Sequence, residues 1–142
     1  IRGGCGRGGR AMERNEKTRA LLAAFGCALA YLLAGKVLGA VLPQVPEEAA
    51  RMWAFVHRCS AAPIVEELVF RGIIQQLARP LGERQAVALQ AVLFALQHGS
   101  AAAMAYALVC GLGLGWLADR TGHLWPGMLL HSANNLLVLA MG

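Results

Sequence analysis

Residues 20–42, ALLAAFGCALAYLLAGKVLGAVL, form an apolar run of 23 residues with a single charge, Lys36. About 20 apolar residues carry a helix across a bilayer, so this run reads as a transmembrane helix. A cleaved signal peptide is the competing reading. Its apolar stretch would be shorter than this one, which ranks it second. The remainder of the chain agrees with a membrane setting: 57% of its 142 residues are hydrophobic and only 15% are charged. Soluble domains carry about a quarter of charged residues. At this length one compact unit is expected.

The net charge of +5 is concentrated at the front, where residues 1–19 hold six basic side chains against Glu13 and Glu16. A basic run directly before an apolar helix sets membrane orientation with the basic end inside. No recognition motif accompanies it, so nucleic acid is not an expected partner. The opening IRGGCGRGGRA is Gly/Arg-rich, and Met12 begins a stretch that reads like a natural start. Residues 1–11 are therefore expected to be an upstream extension, within a flexible basic tail over 1–17, ahead of a transmembrane domain over 18–142. Cys5, Cys27, Cys59 and Cys110 show no CxxC spacing. A zinc finger and a disulfide framework are unsupported, and Cys27 and Cys110 read as buried small hydrophobes.

Pro43 and Pro46 are expected to end the first helix, followed by an amphipathic, interface-lying piece over 47–59. Ser60 is positioned to cap a new helix with Pro63 in its first turn, running to about Ala78 and closed by Pro80 and Gly82. Further helices are predicted over 83–98, 100–119 and 124–142, the third of these starting near Pro126. No useful length shows period-2 alternation, so no sheet is expected. The predicted fold is all-α: a multi-pass bundle of four to five membrane helices with a short interfacial helix. Its basic N-terminus would share the inner side with Arg79, Arg84 and Arg120.

Within these helices the ionisable groups are few: Lys36, Glu66, Glu67, Arg71, His98 and His131, with Asn134 and Asn135 beside the last. A charge at the bilayer centre costs about 2.5 to 3.5 kcal/mol, so each needs a partner or a purpose. Glu67 and Arg71 are spaced i, i+4 in the favourable order for an ion pair. Glu66 is turned about 100° away and is expected to face a different neighbour. Phe94 and His98 share a face by the same i, i+4 spacing, as do His131 and Asn135, while Asn134 lies off that face. His57 and His123 fall near helix ends or loops and read as incidental. A carboxylate, two imidazoles and a carboxamide can thus converge from three helices. A carboxylate and a histidine can deprotonate a water as it attacks a carbonyl, and a second histidine and an amide can donate to the resulting oxyanion. No G-x-S-x-G elbow is present. Two histidines and a glutamate (Glu66, His98 and His131) could instead hold zinc, although H-E-x-x-H is absent.

In order along the chain, EELVFR, FALQH and HSANN match the patterns EExxxR, FxxxH and HxxxN. Together they resemble the CAAX protease and bacteriocin-processing (CPBP, or Abi) family of intramembrane glutamic endopeptidases, over about residues 60–138. The segment GLGLGWLADRTGHLWPGMLLHSANN also looks like the family's stretch between its second and third motifs. The resemblance implies that Glu66 and His98 activate water and that His131 and Asn135 form the oxyanion site. Glu67 and Arg71 would shape and hold the pocket, and Phe94 would support it. It also implies a glutamate-activated water with no metal cofactor, zinc being the alternative. The expected partners are a lipid bilayer and a peptide or protein substrate at or within it, prenylated or bacteriocin-type. The expected place is a prokaryotic cell membrane, with the N-terminus cytoplasmic. The main alternative is a noncatalytic immunity or scaffold protein that keeps the polar cluster for helix packing. A transporter is less favoured, because inverted repeats are not visible.

Overall fold

The structure is a computed structural model that describes residues 5–42 and 46–141. Among these residues there is no strand, and the chain is helical nearly throughout. Helix α1 runs Cys5–Val41 and contains the whole apolar run up to its last residue. It begins inside the segment read as a flexible tail, so residues 5–17 continue the helix rather than precede it. Pro43 lies outside the described residues.

Helix α2 (Glu47–Val56) follows Pro46, and the structure then departs from the sequence reading. No new helix starts at Ser60. A π-helical turn over His57–Ala61 joins α2 directly to α3 (Ala62–Glu67). A second π-helical stretch over Leu68–Ile74 leads into α4 (Gln75–Leu77). The expected interfacial helix is therefore the start of one long rod. Ser60 sits inside that rod, its hydroxyl donating to the Val56 carbonyl at 2.5 Å instead of capping. Pro63 explains the widened turn before it, because its ring crowds the carbonyl four residues back and it has no N–H to offer. The rod ends as Pro80 and Gly82 require, in a 3-10 turn over Arg79–Leu81.

Helices α5 (Glu83–Ala95), α6 (Ala101–Thr121) and α7 (Trp125–Met141) complete the molecule. Ser100 caps α6, its hydroxyl accepting from the Ala103 N–H at 3.2 Å, and Gly122 ends it in the left-handed region at φ +67°. The GLGLG stretch brings α5 and α6 together. A Cβ placed on Gly115 would lie 2.3 Å from Gln90 Nε2 and force that side chain to shift, so glycine suits this approach. Glycine also bares the backbone: Gln90 donates to the Gly111 carbonyl at 2.8 Å and Gln75 to the Gly115 carbonyl at 3.1 Å.

Two stretches, Gly9–Val41 and Ala101–Thr121, are long and apolar enough to cross a membrane. The rod carries Glu66, Glu67 and Arg71, α5 is only 13 residues long and α7 is 17, so helix length and composition do not establish four to five crossings. Several polar side chains are buried while many large apolar ones are not. Glu67, Arg71, Gln75, Gln90 and His131 are buried, while Leu22, Leu33, Val37, Val109, Leu129 and Leu137 stand exposed. The buried apolar core is a small cluster in which Phe70, Ile74, Leu93 and Phe94 pack against Ala24 and Ala28 of α1.

Candidate active site

The site is assembled where the rod, α5 and α7 meet. Glu67 and Arg71 are both wholly buried, with Arg71 Nη1 3.0 Å from Glu67 Oε1. The predicted i, i+4 pair is therefore present. The Arg71 guanidinium also lies over the Phe94 ring, 4.6 Å from its centroid, where the π face offsets part of the charge. Phe94 is the hub of the site: it meets Phe70, His98 and His131 edge to face at 5.2, 5.2 and 5.6 Å.

Helix α7 inserts His131 between the two glutamates. Its Nδ1 is 2.9 Å from Glu67 Oε1, and its Nε2 is 3.5 Å from Glu66 Oε2. Glu66 and Glu67 thus share a neighbour, contrary to the expectation that they face different ones. Their 100° separation around the helix is what lets them reach opposite edges of one ring. The two carboxylates differ in access, since the Glu66 side chain is 23% exposed and that of Glu67 only 1%. Gly127, one turn before His131, permits the close approach of α7: a Cβ there would lie 2.8 Å from Glu67 Oε2.

His98 falls just beyond the end of α5, its backbone N–H bonded to the Ala95 carbonyl at 3.0 Å. The imidazole stays beside Phe94, with Nδ1 3.2 Å from the Phe94 carbonyl. In the neutral ring that contact places the proton on Nδ1 and leaves Nε2 as an acceptor. His98, His131, Asn135 and Phe94 line one cavity of about 190 Å³. Glu66 is not in its lining but interacts electrostatically with both histidines. The Asn135 amide donates to the Arg58 carbonyl at 2.9 Å, which ties α7 to the first π-helical turn and leaves its second N–H.

The other candidates fall outside the cluster. Lys36 is exposed on α1. His57 stacks loosely on Trp53, and His123 Nδ1 contacts the Thr121 carbonyl in the α6–α7 turn. Cys27 and Cys110 are half-buried rather than buried, and Cys110 lines the cavity wall. Two residues escaped the sequence reading. Tyr106 lines the cavity and its hydroxyl donates to Asn134 Oδ1, giving the off-face asparagine a place in the site. Tyr31 of α1 approaches Glu66 and packs its ring against Phe70 at 5.6 Å. Their one sequence signal is that the chain's two tyrosines sit in the two helices long and apolar enough to cross a membrane.

Chemically, the cluster offers a part-exposed carboxylate, an imidazole with a free acceptor nitrogen and a second imidazole held from behind by a buried ion pair. The donor set for zinc fits poorly. Among the described residues no three His, Cys, Asp or Glu side chains gather as a metal-holding group, and both nitrogens of His131 already face carboxylates.

The sequence model of one family, described as type II CAAX prenyl endopeptidase Rce1-like, matches residues 48–137. The match covers more than half of the chain and includes the rod, α5, α6 and most of α7. No curated protein and no solved structure matches the chain.

Proposed function

The chain belongs to the Rce1-like family of type II CAAX prenyl endopeptidases, and on that premise we propose that it is an intramembrane peptidase that cleaves with a water activated by Glu66 and His98. The observation that carries this reading is the division of labour around His131. One glutamate is buried and held by Arg71; the other is part-exposed beside the same ring.

In the proposed step, water bonds through its oxygen to the scissile carbonyl carbon while Glu66, assisted by His98 Nε2, takes its proton. The carbonyl oxygen becomes an oxyanion that accepts from His131 Nε2–H and from the second Asn135 N–H. Collapse breaks the C–N bond, and the proton held by Glu66 passes to the departing amine. Donation from both nitrogens of His131 requires a ring carrying two protons, and a carboxylate on either side balances that charge. Glu67 and Arg71 act through His131 and are positioning residues. The substrate is a peptide or protein at the membrane, with a prenylated C-terminal segment first and a bacteriocin-type peptide second. The protein would cross the membrane four to five times with its basic end in the cytoplasm, and no cofactor enters the step.

A noncatalytic scaffold is the second reading, favoured by the Asn135–Arg58 bond, which uses a motif residue to fasten helices. Cleavage of a peptide library by the detergent-purified protein separates the two. Glu66→Ala and His98→Ala are each expected to lower the rate by about 10²- to 10⁴-fold. Equal cleavage by wild type and both variants would sink the mechanism. Activity is expected to survive chelation, whereas loss restored by zinc assigns the metal-dependent version.

A further inference from the structure

A second polar cluster lies where the end of the rod meets α5 and α6. A cleft of about 590 Å³ opens there between Arg79, Glu83, Arg84, Trp116, Asp119 and Arg120. Arg79 is committed within the protein. Its Nη2 donates to Asp119 Oδ1 at 2.6 Å and its Nε to Gln76 Oε1 at 2.8 Å, with Glu83 3.9 Å away. Asp119 is committed as well, because Gln75 Nε2 donates to the same oxygen at 3.0 Å. Among the described residues no carboxylate pairs with Arg84 or Arg120. The Arg120 guanidinium instead lies 5.4 Å from the centroid of the exposed Trp116 ring.

Three features select a ligand for this cleft. Two exposed guanidinium groups without carboxylate partners suit a phosphate, whose oxygens they can grip in pairs. Trp116 and Arg120 occupy the last two turns of the apolar helix Ala101–Thr121, where tryptophan and arginine gather at a bilayer surface. Half-buried Val87 adds an apolar wall against which an acyl chain can start. The basic beginning of α1 lies at this same end, with Arg19 beside Leu77 and Pro80. Basic pockets between membrane helices are suited to anionic headgroups.

We propose that the cleft binds the phosphate of an anionic phospholipid headgroup, with Arg84 and Arg120 as its ligands and the Arg79–Asp119 pair as its fixed wall. The site rests on the membrane reading alone and is independent of hydrolysis. Trp116 supplies its own probe. In full-length protein carrying Trp53→Phe and Trp125→Phe, reconstituted into vesicles, brominated phosphatidylglycerol should quench Trp116 at about tenfold lower mole fraction than brominated phosphatidylcholine. Arg84→Ala/Arg120→Ala should bring the two quenching curves together, while Glu83→Gln should keep them apart. Equal quenching by the two lipids before the arginines are changed overturns the proposal. So does selectivity that persists in the double variant, which would place the lipid elsewhere on the basic end. Relief of quenching by millimolar inorganic phosphate overturns the lipid assignment in favour of a soluble phosphate.

Discussion

The two nitrogens of His131 face neighbours of opposite kind. At Nδ1 stands Glu67, buried, 2.9 Å away and backed by Arg71, which is itself buried over Phe94. At Nε2 stands Glu66, at 3.5 Å, part-exposed and backed by Tyr31. Two residues adjacent in sequence thus sit in different surroundings around one ring. A buried charge pair is costly to leave half-made, so the Nδ1 side is built to stay fixed. A part-exposed carboxylate can exchange partners, so the Nε2 side can admit water and substrate.

The widest separation between the sides should come from Glu66→Gln. It is expected to lower peptide cleavage by about 10²- to 10⁴-fold while leaving thermal stability in detergent nearly unchanged. Parallel loss of stability would erase the distinction between the two glutamates. Glu67→Ala should do the reverse, destabilising the fold by about 3 to 5 kcal/mol because Arg71 is left buried without its partner. Glu67→Ala/Arg71→Met should recover much of that loss, and denaturant unfolding of the two variants side by side checks it. Gly127→Ala tests the approach of α7 to the fixed side. Its Cβ would press on Glu67 Oε2, so a cost of about 1 to 3 kcal/mol is expected, with cleavage reduced through the displaced His131. Gln90→Leu removes a buried bond to the Gly111 carbonyl, away from both sides, and should cost about 0.6 kcal/mol with the cleavage rate retained. A large rate effect there would mean that the α5–α6 seam is coupled to the site.

The exposed apolar and buried polar side chains fit the same division. Large apolar side chains of α1, α6 and α7 stand exposed, as on a lipid-facing surface, and the buried polar side chains are tied in only in part by named partners. Gln90 and Gln75 meet glycine carbonyls and Arg71 meets Glu67, while half-buried Asn135 meets Arg58. With the family and the two long apolar helices, this pattern describes a membrane protein.

Much of the fold was legible because its signals are local. The apolar run named α1, the helix expected over 100–119 stands as α6 at Ala101–Thr121, and Pro80 with Gly82 closed the rod. The Glu67–Arg71 pair followed from a spacing of four. Ser60 misled for an equally local reason: a serine three residues before a proline has the form of a helix start. Instead the chain continues through a π-helical turn that accommodates Pro63, and α7 packs against that turn through the Asn135–Arg58 bond. The three motifs picked out side chains that the structure brings together around Phe94 and His131, although they could not assign each its neighbour.

What the sequence determined by itself was an all-helical chain with a long apolar helix and a set of ionisable residues too costly to bury without partners. Helix period, caps and hydropathy act within a few residues, so a linear reading captures them. Only the tertiary structure decided that Glu66 and Glu67 hold opposite edges of His131, 64 residues from Glu67. It also decided that Asn135 reaches back 77 residues to Arg58, and that Tyr106 joins the site through Asn134. Those contacts depend on the crossing of helices distant in sequence, which no spacing along one helix can encode.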